Sequence, residues 1–157
     1  MIILNQFPTH IEYTENVRAP NKFVKVNNQN IYNGKIGRFS RNIAVRNLHK
    51  YVKSSLVNVN KISKYPVVIH YDFYTVRNHG SISMRKGNII WKPPSLSYVP
   101  NWDIDNLAFL WIKVINDTLQ EEGILKNDNV NFVEGGFYRI NYIDDIKDRK
   151  IIIKFIS

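Results

Sequence analysis

Apolar residues recur along this chain with two spacings, and the spacings mark its elements. Leu107, Leu110, Trp111, Val114 and Thr118 follow the three-and-four spacing of a helix, with Ile112, Ile115 and Leu119 widening the face. Such a helix is buried on most of its surface. Asp105 or Asn106 would cap its start and Gly123 would stop it after Glu122. A second helix is predicted from an N-cap at Ser40 to about Val57, with Val45, Leu48, Val52, Leu56 and Val59 on one face. The two-residue spacing predicts a strand over Tyr65–Thr75, with Val67, Ile69, Tyr71 and Phe73 on one side and Val68, His70, Asp72 and Tyr74 on the other.

The remaining segments follow by the same rules. Lys22–Val26 alternates as a strand, and Asn27–Asn30 and Asn33-Gly34-Lys35 read as turns. Ser81–Trp91 reads as a hairpin about Lys86-Gly87-Asn88, after which Lys92-Pro93-Pro94 is extended. Val130–Tyr142 and Lys150–Phe155 read as strands joined by the polar loop 144–149, with Gly135-Gly136 at a bulge or bend. Residues 1–20 supply one edge strand followed by a loop. The expected fold is α+β, a small mixed or antiparallel sheet with two principal helices. At 157 residues and 44% hydrophobic content the chain makes one domain over 1–157 rather than two.

Charge narrows the range of partners. The formal net charge is +9, which favours polyanions, nucleic acid first. Arg41, Arg46, Lys50 and Lys53 occupy much of the polar face of the first long helix, and no acid occurs between Glu15 and Asp72. A solvated face normally mixes signs, so this one reads either as solvated surface or as a binder of DNA phosphates. Arg77, Arg85, Lys86 and Lys92 accompany Trp91 and Tyr98 in the hairpin region 76–101. That mixture suits an arm that tracks phosphates and stacks bases; a solvated hairpin or a dimer arm is the other reading.

Composition excludes several chemistries. Without cysteine there is no disulfide, thiolate zinc site or cysteine nucleophile. The four histidines lack the close spacing of a metal site. No apolar run approaches a membrane span, and the apolar start is too short for a signal peptide. The protein is therefore expected inside the cell and off the membrane. Its wealth of Asn, Ile, Lys and Tyr suits a low-GC genome such as that of a phage or virus.

Candidate chemistry gathers just before the second long helix. Asp103 and Asp105 lie two residues apart in Trp102-Asp103-Ile104-Asp105-Asn106. Carboxylates held that closely repel unless a cation lies between them, and a divalent metal is the usual one. Asp128 follows the helix in Lys126-Asn127-Asp128-Asn129, and would join them if the chain turned back after the helix. Asp72 is a further acid on a strand that could serve as a metal ligand, though a surface or hydrogen-bonded residue is the commoner reading of such an acid. The three acids of the loop 144–149 read as turn formers.

Asp103-Ile104-Asp105-Asn106-Leu107, a helix carrying Lys113 and Asn116-Asp117-Thr118-Leu119, then Gly123-Ile124-Leu125-Lys126-Asn127-Asp128, resembles the core of the RusA family of Holliday-junction resolvases. The likeness runs in order from about Asn27 to the end, leaving residues 1–20 as an N-terminal extension and 76–101 as a longer insertion. It implies a RusA-like fold and a homodimer that cuts Holliday junctions and other branched DNA. It also implies magnesium, or manganese, held by Asp103, Asp105 and Asp128, with Lys113 assisting catalysis. The family's lysine commonly lies one turn after the second aspartate; here that place is Phe109, and Lys113 comes a turn later. A helix beginning near Ala108 would return Lys113 to the aspartates, and an earlier start would carry it about 12 Å beyond Asp105.

Overall fold

The computed structural model describes residues 1–14, 22–32, 36–76, 81–85, 88–92 and 104–157. In chain order the elements are β1 (Ile2–Asn5), β2 (His10–Glu12), β3 (Phe23–Lys25), α1 (Asn28–Tyr32), α2 (Arg38–Ser54), β4 (Val67–Val76), β5 (Ser81–Arg85), β6 (Asn88–Lys92), α3 (Ile104–Glu121), β7 (Val133–Ile143) and β8 (Lys150–Ile156). The fold is α+β. Its main sheet is four-stranded and mixed, in the order β1-β8-β4-β7. β8 runs antiparallel to both β1 and β4, whereas β7 lies parallel to β4.

Alternation decides which side of this sheet carries the core. Val67, Ile69, Tyr71 and Phe73 of β4, Ile2 and Leu4 of β1, and Ile151 and Ile153 of β8 point to one side and are buried. Against them pack Ile31 of α1, Ala44, Leu48 and Val52 of α2, and Leu107, Leu110, Trp111, Val114, Ile115 and Leu119 of α3. Phe7 joins the layers, its ring edge-on to both Phe73 and Trp111, 6.5 and 5.5 Å between centroids. All three helices enter this one core, so the opposite face of the sheet carries no described helix.

Several element ends differ from expectation, each for a local reason. α2 begins at Arg38 with Gly37 as its extended cap residue, so Ser40 lies inside the helix rather than at its cap. The Asn27–Asn30 run is not a plain turn, because the Asn27 side chain accepts from the Asn30 backbone N–H at 2.7 Å and starts the short helix α1. Residues 1–14 hold β2 besides the expected edge strand β1, and β2 pairs with β3. The loop 144–149 behaves as a turn: Asp145 accepts from the Lys147 N–H at 2.8 Å and caps a single 3-10 turn. The expected bulge falls beside Gly135, where Val67 pairs with Val133 but Val68 pairs with Gly135.

Candidate functional site

α3 begins at Ile104, so Asp105 and Asn106 stand in its first turn rather than at its cap. The alternative start near Ala108 is thereby corrected. Asp103 lies outside the described residues, as does the side chain of Asp105. An acid in the first turn of a helix is favoured by the partial positive charge of its free N–H groups. The remainder of α3 is locked by burial of Leu107, Ala108, Leu110 and Trp111, which leaves this turn on a stiff support.

The direction of α3 decides where the third aspartate falls. Trp111 reaches Phe73 through Phe7. The Tyr71 hydroxyl donates to Asn116, and the Lys126 N–H donates to the Tyr65 hydroxyl at 3.0 Å. Rising numbers on the helix thus meet falling numbers on β4. Asp105 belongs at the C-terminal end of β4, and Asp128 at its start, where the Val67 N–H donates to Phe132 at 2.9 Å. The sixteen residues from Asp105 to Glu121 rise about 24 Å. Within one chain Asp128 therefore lies at the far end of α3 from the Asp105 backbone. A parallel β7 must begin at the end where β4 begins, and that is the far end of α3. Asp128 itself is exposed, in a segment where Asn127 and Asn129 each accept from the backbone two residues on at 3.0 Å. Among the described residues no three His, Cys, Asp or Glu side chains gather as metal ligands.

Lys113 pairs with an acid of its own helix. Its ammonium lies 3.2 Å from Asp117, one turn further along α3, and its side chain is 61% exposed. The pair draws the lysine toward the C-terminal end of the helix, away from Asp105.

The basic residues of α2 separate into two groups. Lys53 is bound to Glu122 at 2.5 Å, and the hydrogen bond and charge of that carboxylate raise its pKa. Arg41 lies over the Tyr32 ring, 5.8 Å from its centroid. Arg41 and Arg46 line a shallow cleft of about 660 Å³ with Tyr32, Asn42, Val45, His49 and Glu121. Lys50 is exposed on the same helix. His49 was not singled out by its spacing. Thr118 donates its hydroxyl proton to Val114 at 2.7 Å, so it accepts from His49 Nδ1 at 2.9 Å, which fixes the proton on that nitrogen. In the hairpin Arg85 is exposed at the end of β5. Arg77, Lys86 and the side chain of Lys92 lie outside the described residues.

Asp72 proves to be a paired residue. It is 4% exposed, with Lys154 Nζ at 2.8 Å and His70 Nε2 at 3.5 Å. Burial pushes its carboxyl up, but the Lys154 hydrogen bond and the charges of His70, Lys154 and Arg139 outweigh burial and hold it below the ordinary value. No helix among the described residues is long and apolar enough to cross a membrane. No family model, curated protein or solved structure matches this chain.

Proposed function

We propose that this protein is a magnesium-dependent endonuclease of the RusA type that resolves Holliday junctions and other branched DNA. The observation that carries the reading is the Asp103-Ile104-Asp105-Asn106 segment leading into the first turn of a buried, rigid helix. The strongly basic, acid-free stretch that includes α2 supports it, because a nuclease must neutralise phosphates around the one it cuts. Magnesium, or manganese in its place, would hold the scissile phosphate, activate water and stabilise the leaving oxygen. Asp103 and Asp105 would hold that ion, and Asn106 would support the turn. Asp128 fits this donor set only from a second copy of the chain, because its own lies at the other end of α3. The homodimer is thus part of the proposal.

Cleavage of a synthetic four-way junction in magnesium tests the reading. The wild type should cut it, while Asp103→Asn and Asp105→Asn should lose at least a hundredfold in rate and still bind. Lys113→Ala should keep most of the rate, given the Asp117 pair. Intact junctions after prolonged incubation of the wild type would overturn the proposal. A module of the same fold that holds junctions without cutting is the second reading, favoured by the engagement of Lys113 with Asp117. The same assay separates the two.

A further inference from the structure

The side of the main sheet turned away from the helices is ordered by strand register into rows. Phe137, His70 and Lys154 stand abreast on β7, β4 and β8; Arg139, Asp72, Ile152 and Ile3 form the next row; Asn141, Tyr74, Lys150 and Asn5 form the third. Rows follow one another about every 6.6 Å, and neighbours within a row are about 4.8 Å apart. The Phe137 ring lies against His70, with centroids 4.2 Å apart, and stays 50% exposed. Lys150 Nζ stands 5.0 Å from the centroid of the Tyr74 ring. Arg139 is exposed, and the Lys154 side chain is 45% exposed.

Charge and shape select among occupants for this surface. The one acid in these three rows, Asp72, is buried and held by Lys154, so Arg139 and Lys150 leave the rows positive. A second copy docked on it would set cations against cations, which is costly. A DNA duplex offers phosphates but keeps the faces of its bases inside its own stack. Unpaired bases offer both, phosphates for the cations and a flat π-face for an exposed aromatic ring. We propose that this sheet face binds single-stranded nucleic acid, with Phe137 stacking on a base and Arg139 and Lys150 following the backbone. The proposal is independent of cleavage and of Asp103, Asp105 and Asp128.

The test is anisotropy of a fluorescein-labelled oligothymidylate titrated with the full chain in EDTA. Phe137→Leu, which keeps apolar bulk but loses the ring, should weaken binding about tenfold or more, and Phe137→Trp should restore it. Arg139→Ala and Lys150→Ala should each flatten the dependence of log affinity on log salt by about 0.7. Binding of a blunt duplex should be unchanged by Phe137→Leu. The proposal is overturned if Phe137→Leu and Arg139→Ala bind the oligothymidylate as the wild type does, or if duplex affinity falls in parallel. It is equally overturned if either substitution halves the sedimenting mass, since the face would then join two copies. Both residues are exposed, and Arg139→Ala gives a second reading should Phe137→Leu alter folding.

Discussion

Asp72 couples ionisation to stability, because three cationic or protonatable groups face it from three strands. His70 is on its own strand, Lys154 on β8 and Arg139 on β7. Its folded pKa lies below the ordinary carboxylate value of 3.8. A carboxyl shifted in that direction contributes stability that is complete above its unfolded pKa and is lost as pH falls through the folded one. Acid unfolding of the wild type should therefore include a decline below about pH 4. Asp72→Asn should lower stability by about 1–2 kcal/mol at neutral pH, the half-exposed lysine making the pair worth less than a fully buried one. It should also flatten the acid limb. Urea titrations across this range measure both, and an unchanged acid limb would remove Asp72 as its source.

At the scale of elements, periodicity made most of the chain legible. The β4 face of Val67, Ile69, Tyr71 and Phe73, and the α3 face from Leu107 to Leu119, are buried as their spacing requires. Gly123 ends α3 with φ of 66°, a left-handed conformation that suits glycine. A Cβ there would meet nothing nearer than Lys61 Nζ at 3.8 Å, so the cost of substitution is one of backbone alone. Gly123→Ala should destabilise by about 1 kcal/mol, seen as a shifted denaturation midpoint with an unchanged slope. Less legible were features set by a single partner. Gly37 rather than Ser40 opens α2, and one Asn27 side chain turns a polar run into α1. The Asp72 pair needs Lys154 from a strand eighty residues away. Least legible was the pairing of β4 with β7, since alternation along a strand says which face is buried but not which strand lies beside it or in which direction. That direction decides where Asp128 falls, which is why the sequence could join Asp128 to the aspartate segment before α3 only on the condition that the chain turned back after the helix.

Taken as a whole molecule, the chain sets Asp105 and Asp128 at opposite ends of an 18-residue helix, and a working site that uses both must draw on two copies. In the proposed homodimer, closed two-fold pairing would give two equivalent sites, each drawing Asp103 and Asp105 from one chain and Asp128 from the other. Light scattering should give about twice the 18.5 kDa chain mass. Mixing inactive variants supplies the sharper test. Asp105→Asn and Asp128→Asn homodimers have no intact site, but in a mixed dimer one site collects both substitutions and the other collects none. After subunit exchange of equal amounts, half the dimers are mixed and each has one intact site, so roughly a quarter of wild-type sites should return. Cleavage should then reach one junction strand per mixed dimer, leaving nicked rather than resolved junctions. Were each site built within one chain, both sites of a mixed dimer would be damaged and no activity would return. A mixture that stays inactive after exchange is shown by mass to be complete would therefore rule out the shared site.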